Sequence, residues 1–167
     1  MSIRIGVISD THGLFREEMH NILKDVDKII HLGDIGKLDI LELIQKIAPT
    51  VSILGNIDEN IYSLPATESL EIKGVKIYMI HNIKEINKES ISYDTRIILY
   101  GHSHKPNLNE KDNIIYFNPG SIGPRRFSLP ITYGIMDINN QSIHIRIYDL
   151  FSKEILIDKT YDKNKDT

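Results

Sequence analysis

The sequence predicts an α/β (α+β) domain, because strands alternate with helices in its first half and follow one another in its second half. Residues 3–9 and 28–32 are short, isoleucine-rich apolar runs that end in polar residues, as buried strands do. Between them, apolar side chains recur at helical spacing over residues 15–26. The chain therefore begins as strand, helix and strand.

The next elements continue this alternation and then change it. A second apolar stripe covers residues 38–48 and stops at a proline, which predicts a helix, and residues 51–54 form a third strand. A β-α-β-α-β order favours parallel strands with right-handed crossovers. Residues 68–72 and 75–80 then flank a two-residue Lys-Gly turn, which predicts a hairpin.

The remainder of the chain predicts further strands and one short helix. The helix is expected at residues 87–93, and the strands at residues 96–100, 113–117, 131–138, 142–149 and 154–160. Along residues 142–149, isoleucine alternates with polar or aromatic residues, which is typical of an antiparallel strand with one exposed face. We expect a single domain over residues 1–160 and a polar, frayed tail over residues 161–167.

Composition and charge exclude several classes of protein. The 167 residues are 41% hydrophobic and 26% charged, which is typical of a globular domain. A formal net charge of −3 provides no positive field, so we expect neither stable nucleic-acid binding nor membrane binding. The absence of cysteine excludes disulfides, cysteine zinc sites, iron–sulfur clusters and a cysteine nucleophile. A metal site must therefore use His, Asp, Glu, Asn or backbone groups.

The N-terminal residues are relevant to the cellular location of the protein. Residues 1–13 pass from a short apolar run into polar residues, without the hydrophobic core or cleavage site of a signal peptide. No stretch approaches the roughly 20 apolar residues of a membrane-spanning helix. We therefore expect a cytoplasmic protein.

Residues of metal-ligand type directly follow five of the predicted strands. Because ligands bind outside the carboxyl ends of strands in open α/β sheets, we expect these five loops to meet at one site. The side chains concerned are Asp10, His12, Asp34, Asn56, His81, His102 and His104. Aspartate and asparagine alone are also typical of turns and helix caps, but four histidines at matching strand ends are difficult to explain in that way.

Seven ligands are too many for one ion. One ion rarely takes seven protein ligands and keeps an open position, whereas two ions can each take four if one carboxylate is shared. Asp34 is the natural shared ligand. Gly33, Gly55 and Gly101 each precede a predicted ligand, where the backbone must turn sharply and approach the site closely. His31 is a candidate to support Asp34 from behind.

The motifs DTH, GD, GN, a lone histidine and GHSH, in this order, resemble those of the calcineurin-like metallophosphoesterase superfamily. The short length, the GNID motif and the later Asn-Pro-Gly-Ser at residues 118–121 resemble its small bacterial and archaeal phosphodiesterase branch, the YfcE-like group. The resemblance covers residues 3–149. It implies a two-sheet β-sandwich flanked by helices, in four α-β-β-α layers.

The resemblance also implies the chemistry of the site. It assigns one metal ion to Asp10, His12, Asp34 and His104, and the other to Asp34, Asn56, His81 and His102. A hydroxide that bridges two ions about 3.5 to 4 Å apart would attack phosphorus, with Asp34 and Asn56 as catalytic residues. The expected substrate is a small phosphodiester or a nucleotide-like molecule. The donor set suits Mn²⁺, which we favour, as well as Ni²⁺, Co²⁺, Zn²⁺ or iron.

Two departures from the superfamily's motifs affect the expected reaction. Relatives with a GNHE or GNHD motif have a histidine that is thought to protonate the leaving group, where this chain has Ile57. Asp58 is the nearby candidate for that catalytic role, although a carboxylate is a poor acid at neutral pH unless its surroundings favour the protonated form. We therefore expect a preference for good leaving groups. Many relatives have HGH where this chain has His81, Asn82 and Ile83, so a substrate contact made by the missing second histidine is in doubt.

Further residues are expected to bind substrate. Asn118 and Ser121 lie in a loop whose pattern alone predicts only a turn, but the resemblance implies that this loop borders the pocket. Arg125 and Arg126 are candidates to clamp a phosphate by paired hydrogen bonds. The alternative is that Arg125 and Arg126 form a solvated basic pair.

A two-metal phosphodiesterase is the leading interpretation, and two other functions compete with it. One is a non-catalytic metal-binding scaffold, because a subunit of the eukaryotic retromer complex uses this fold to bind protein, although seven intact ligands argue against it. The other is an amidohydrolase, but that family has HxH after its first strand and a longer barrel, whereas here DxH comes first. Apolar strand edges also leave open a homo-oligomer formed by pairing between subunits.

Overall fold

Eleven strands form two sheets that pack face to face in the computed structural model, which describes residues 1–58 and 63–164. The first sheet contains β1 (Ile3–Ile8), β2 (Lys28–His31), β3 (Thr50–Ser52), β9 (Thr132–Ile138), β10 (Ser142–Asp149) and β11 (Ile155–Asp162). The second contains β4 (Thr67–Ile72), β5 (Val75–Ile80), β6 (Thr95–Leu99), β7 (Asn107–Lys111) and β8 (Ile114–Asn118). Two α-helices, α1 (Glu18–Leu23) and α2 (Leu38–Gln45), connect the first three strands.

Each sheet contains three adjacent parallel strands. The first sheet has the order β11-β10-β9-β1-β2-β3, in which β1, β2 and β3 are parallel and the remaining pairs are antiparallel. The second has the order β4-β5-β6-β8-β7, in which β5, β6 and β8 are parallel and the two outer strands are antiparallel. The predicted parallel start and antiparallel end of the chain are therefore found in the first sheet.

The main core lies between the sheets, and strand alternation decides which side chains enter it. Along β1, Ile5 and Val7 pack against the second sheet, whereas Ile8 faces the helices on the other side. Phe117 of β8 is the largest fully buried side chain in this core. Burying a side chain of this size stabilises the fold by about 1.5–3 kcal/mol.

Helices cover the outer face of the first sheet, as the predicted sandwich requires. Met19 and Leu23 of α1, with Ile40 and Ile44 of α2, are buried in a second apolar cluster there. The outer face of the second sheet is covered instead by two 3₁₀ turns, Ile83–Glu85 and Lys88–Ser90, and the apolar residues around them. The two-sheet fold class is confirmed, and its fourth layer consists of these 3₁₀ turns.

Several element boundaries differ from the expected ones. The first helix begins three residues later than its apolar stripe, because Arg16 donates to the carbonyls of Ile122 and Gly123 and its segment packs as a loop. The strand β7 is not apparent in the sequence, since only Leu108 of its five residues is buried. The expected helix at residues 87–93 is a single 3₁₀ turn.

The final strand extends into the expected tail. Tyr161 and Asp162 pair with Ile143 and Ser142 of β10, and the Tyr161 side chain packs against the main core. Arg96 also donates to the Asp162 carbonyl. These contacts hold two residues that we expected to be frayed, while residues 165–167 lie outside the described part of the chain.

None of the helices within residues 1–58 and 63–164 has the length and hydropathy that would be needed to cross a bilayer.

Candidate metal centre

The predicted site residues lie on loops that follow the carboxyl ends of the parallel strands. The loops after β1, β2 and β3 come from the first sheet, and those after β5, β6 and β8 come from the second. Side chains of the two sheets meet here, since Asp10 lies beside His104 and Asp34 lies beside His81. The two sheets therefore build one site between them.

Six of the seven predicted metal ligands lie in two groups, and the ligand atoms within each group are all within 4.8 Å of one another. The Asp10 group consists of Asp10, His12 and His104, and the Asp34 group consists of Asp34, His81 and His102. Asp34 Oδ2 lies 3.4 Å from His12 Nε2 and 3.3 Å from His81 Nε2. Asp34 thus contacts one histidine of each group, which is the position that a shared ligand requires.

The two oxygens of Asp10 have different surroundings. Oδ1 lies 3.7 Å from His12 Nε2, 3.5 Å from His104 Nε2 and 3.8 Å from His81 Nε2. Oδ2 accepts hydrogen bonds from the Ser9 hydroxyl at 2.6 Å and the His102 backbone N–H at 3.2 Å. One oxygen is held by the protein, and the other is left facing the histidines.

Several buried polar atoms at this point have no hydrogen-bond partner among the described residues. They include Asp10 Oδ1, His12 Nε2 and His81 Nε2, and the aspartate oxygen is within 3.8 Å of both nitrogens. Leaving such an atom unpartnered costs about 1–3 kcal/mol, so three of them side by side fit a bound cation. Nitrogen and oxygen donors without sulfur suit a divalent metal such as Mn²⁺, Fe²⁺, Co²⁺, Ni²⁺ or Zn²⁺.

The orientation of His81 is fixed from behind. Its Nδ1–H donates to the Leu32 carbonyl at 2.7 Å, so Nε2 points towards Asp34. Metal-binding histidines commonly donate their second N–H to a carbonyl or carboxylate in this way. The hydrogen bond therefore presents the nitrogen that a metal ion would use.

The site perturbs the pKa values of its acids and bases. Burial alone would raise the pKa of Asp34, but His81 and the Ile57 N–H outweigh it and lower this pKa to about 2. Burial alone would lower the pKa of His81, but Asp34 and Asp10 outweigh it and raise this pKa above its ordinary value. Burial lowers the pKa of His104, Asp10 opposes that change, and Arg126 contributes to it. Asp10 and Asp34, both of lowered pKa, are thus held as anions, which is the charge state that binds a cation.

Backbone strain is concentrated at the site. Five of the seven predicted ligands have φ between 46° and 71°, in the left-handed region that non-glycine residues seldom adopt. They are Asp10, His12, Asp34, His102 and His104. Each such residue costs on the order of 1–3 kcal/mol and persists only where its surroundings enforce it, typically at a functional site.

Two glycines allow the loops to approach one another. A Cβ at Gly55 would lie 2.1 Å from Asp34 Oδ1, and one at Gly33 would lie 2.7 Å from the Gly55 nitrogen. Gly33 also has φ of +99°. The glycines before the predicted ligands are therefore required by close packing, as the sequence suggested.

Asn56 directly follows Gly55, which packs closely against Asp34. It is exposed in the loop after β3, and together with His81 it lines a cavity of about 450 Å³. Its backbone position next to Gly55 keeps it near the Asp34 group, and its role as a ligand stays a prediction.

Asp58 has surroundings that do not suit a proton donor. Its side chain is fully buried, Oδ2 accepts from the N–H groups of Gly55 and Ile35, and Oδ1 accepts from that of Gly36. Because the side chain is fully buried and both oxygens accept from backbone N–H groups, the carboxyl group faces the neighbouring loops. The structure instead places Asp58 as a brace between the loops after β2 and β3.

Asn118 and Ser121 also contact the backbone rather than an open pocket. Buried Asn118 donates to the Gly101 carbonyl and the Ser103 hydroxyl and accepts from the Gly120 N–H. Buried Ser121 donates to the Asp10 carbonyl at 3.2 Å. These contacts do not support the predicted substrate-binding role of either residue. They hold in place the loops that carry the candidate ligands.

The two adjacent arginines differ in their surroundings. Exposed Arg125 donates to the Leu129 carbonyl within its own loop, whereas Arg126 is close enough to His104 to help lower its pKa. The positive charge of Arg126 therefore has an effect at His104 of the Asp10 group. The sequence could not choose between adjacent residues of the same type.

Ser9, Thr11 and His31 complete the support of the ligands, and the first two were not predicted. Ser9 holds Asp10, and Thr11 bonds to His31, which in turn accepts from the Gly33 N–H. The available signal was their position directly beside Asp10 at the end of a strand. His31 thus supports the segment before Asp34 through the backbone.

Fold and site together define a class, namely an α/β metal-binding protein whose ligands lie at the carboxyl ends of two sets of parallel strands. Residues 3–141 match the calcineurin-like phosphoesterase superfamily domain, and the chain belongs to this superfamily. The predicted membership is confirmed, and it supports a hydrolase that acts on phosphoester bonds.

Two curated relatives and one solved structure illustrate the similarity. A probable metallophosphoesterase of Methanocaldococcus jannaschii is 33% identical over 70% of this chain and 67% of that protein. A phosphodiesterase of the same organism is 28% identical over 81% of this chain and 93% of that protein. Vacuolar protein sorting 29 from Cryptosporidium parvum has a TM-score of 0.80 at 17% identity, over 98% of this chain and 99% of that chain, and shares the fold.

Proposed function

We propose that this protein is a metal-dependent phosphodiesterase in which the Asp10 and Asp34 groups hold two divalent ions, Mn²⁺ by preference. The observation that carries the proposal is the contact of Asp34 Oδ2 with both His12 and His81, beside three unpartnered buried atoms. A phosphodiesterase among the relatives supports the reaction class. The proposed substrate is a small phosphodiester or nucleotide-like molecule.

The chain's own residues provide the geometry for this reaction. When bound, two ions would supply an activated water as nucleophile and neutralise charge on the phosphoryl oxygens. Asp34 would bind both ions, the other members of the two groups would complete each site, and Asn56 is the proposed additional ligand of the Asp34 group. Arg126 adds a positive charge beside His104, where an anionic substrate would approach.

Neither of the two residues after Asn56 is suited to protonate the leaving group. Ile57 cannot donate, and Asp58 is occupied by backbone N–H groups. We therefore expect substrates with acidic leaving groups to be hydrolysed much faster than those with alkoxide leaving groups.

The test is hydrolysis of bis(p-nitrophenyl) phosphate by chelator-stripped protein with added Mn²⁺. Asp34→Asn should abolish turnover and lower the number of bound Mn²⁺ ions per chain measured by calorimetry. The exposed Asp39→Asn on α2 makes the same chemical change away from the site and should retain both. Two ions per wild-type chain and restored turnover would support the proposal.

A metal-binding scaffold is the second candidate, because vacuolar protein sorting 29 shares this fold and neither Ile57 nor Asp58 is suited to protonate a leaving group. Metal binding without turnover in the presence of Mn²⁺, Ni²⁺, Co²⁺ or Zn²⁺ would favour it.

Pairing with a second copy of the chain stays a prediction, because β11 is an edge strand and carries the exposed side chains Ile155 and Leu156. Light scattering at several protein concentrations would test that pairing.

A further inference from the structure

A cavity of about 450 Å³ adjoins the Asp34 group and extends beyond the two candidate ligands that line it. His81 and Asn56 form the side nearest the metal centre, and Thr67 at the start of β4 contributes to the wall. Small-molecule sites typically measure about 300–1,000 Å³, so the volume suits the organic group of a small phosphoester.

The charge of the cavity is unusual for a protein that acts on phosphates. Glu85 is its one acidic side chain, and no lysine or arginine lines it in the described part of the chain. The positive charge of Arg126 lowers the pKa of His104, a member of the Asp10 group that does not line the cavity. The positive side of the site is therefore associated with the Asp10 group, and the cavity side carries a carboxylate.

The local fold keeps Glu85 at the cavity. It belongs to the 3₁₀ turn Ile83–Glu85, in which the Glu85 N–H donates to the Asn82 carbonyl at 3.0 Å. The Asn82 side chain caps the same turn by accepting from the Lys84 N–H at 3.1 Å. Asn82 thus fixes the turn that carries the carboxylate.

We propose that this cavity binds the organic group of the phosphoester substrate and that Glu85 makes it select cationic groups over uncharged ones of the same shape. The inference rests on the proposed function and adds a substrate class, namely phosphoesters of amino alcohols and similar cationic alcohols. Polyphosphate nucleotides are disfavoured, because a second phosphate in the cavity would meet a carboxylate without a compensating cation.

The experiment uses two phosphomonoesters that differ in charge but not in shape. Choline phosphate and 3,3-dimethylbutyl phosphate have the same outline, with a quaternary nitrogen in one and carbon in the other. Their inhibition constants are measured against bis(p-nitrophenyl) phosphate hydrolysis by the Mn²⁺-loaded protein. We expect choline phosphate to bind roughly two- to five-fold more tightly, as an exposed ion pair allows, and less so at high salt.

Two variants of Glu85 test whether this residue causes the difference between the two inhibition constants. Glu85→Gln should bring the ratio of the two constants close to one, and Glu85→Lys should reverse it. Glu89→Gln removes an exposed carboxylate from the neighbouring 3₁₀ turn and should keep the wild-type ratio. A wild-type ratio of one, or a ratio that Glu85→Lys leaves unchanged, would overturn the proposal.

A third variant tests occupation of the cavity itself. Ala66 is exposed at its wall, so Ala66→Phe should fill the cavity without disturbing the core. It should weaken both organic phosphates several-fold relative to inorganic phosphate, which has no organic group. Equal effects on all three ligands would contradict the assignment.

Failure of the proposed function gives a different result. In that case bis(p-nitrophenyl) phosphate is not hydrolysed, and calorimetric titration of the Mn²⁺-loaded protein gives the same affinity ratio without turnover. A ratio above one without turnover supports the cavity assignment alone. Turnover with a ratio of one supports the phosphodiesterase alone.

Discussion

His31 Nε2 lies 2.9 Å from Thr11 Oγ1 in the interior of the protein, and this contact joins the two loops that carry Asp10 and Asp34. The Gly33 N–H donates to His31 Nδ1, so Nε2 carries the proton and donates to Thr11, whose hydroxyl donates to the Ile35 carbonyl. Every polar atom of the imidazole is used in its neutral form. If His31 were protonated, its Nδ1–H would face the Gly33 N–H, and the two donors would repel each other.

We predict that His31 makes the protein less stable in mild acid. Burial lowers the pKa of His31 to about 4, below its ordinary value of 6.5. Between these values the unfolded chain binds a proton that the folded chain does not, so the free energy of unfolding falls as pH decreases. From pH 7 to pH 5 this group should remove about 2 kcal/mol, measured by urea unfolding in the presence of chelator.

His31→Gln is the matched variant, because its amide does not titrate. It should be less stable than wild type at pH 7 by about 1–3 kcal/mol, the cost of a disturbed buried hydrogen bond. Between pH 7 and pH 5 the free energy of unfolding of this variant should fall by less than that of wild type. The difference should equal the contribution of His31. Equal losses in the two proteins would contradict a buried neutral His31.

The grouping of six of the candidate ligands could be predicted from sequence because its signal is local. A polar residue directly after an apolar strand can be recognised without knowledge of the partner strands, and the parallel topology then brings such residues together. Asp10 and His104 are distant in sequence but lie at the ends of β1 and β6, on facing sheets. The two-sheet fold required the resemblance as well, since periodicity alone does not assign strands to sheets.

The roles of the supporting residues could not be predicted, because they depend on which backbone atoms come close. Asp58 and Asn118 follow the same strand-end pattern as the ligands, but the structure surrounds them with backbone groups from other loops. Strand β7 was missed for a related reason. It is an edge strand with one buried side chain, and its pairing with β8 leaves little pattern in the sequence.

Arg126 and Arg125 should differ in their effect on catalysis. Arg126→Ala removes a positive charge beside His104 and should raise KM for bis(p-nitrophenyl) phosphate about two- to five-fold, the range for an exposed charge. Arg125→Ala should leave KM unchanged, because the Arg125 side chain bonds to the Leu129 carbonyl. The difference should shrink at high ionic strength. A larger effect of Arg125→Ala on KM would instead support Arg125 as the phosphate clamp that the sequence suggested.

Gly55→Ala should damage the metal centre more than its effect on stability explains. The added Cβ would lie 2.1 Å from Asp34 Oδ1 and 2.2 Å from the Asp34 nitrogen, so Asp34 must move. We expect at least a ten-fold loss of Mn²⁺ affinity, by analogy with disturbed ligand support in other metal sites. Gly74→Ala in the β4–β5 turn is the comparison, because it introduces strain at φ of +80° but lies against Lys163 only. That variant should lose about 1 kcal/mol of stability and keep its metal affinity.

Asp58→Asn separates a structural role from proton donation. The amide cannot accept from every N–H group that Asp58 binds, so the free energy of unfolding should fall by about 1–3 kcal/mol. Turnover of methyl p-nitrophenyl phosphate and methyl phenyl phosphate should change by the same factor, since neither leaving group receives its proton from Asp58. If Asp58 were the acid, the phenyl substrate, with its more basic leaving group, would be slowed far more than the nitrophenyl one. Steady-state rates for the two substrates, at a temperature where the variant is fully folded, therefore decide between a brace and a proton donor.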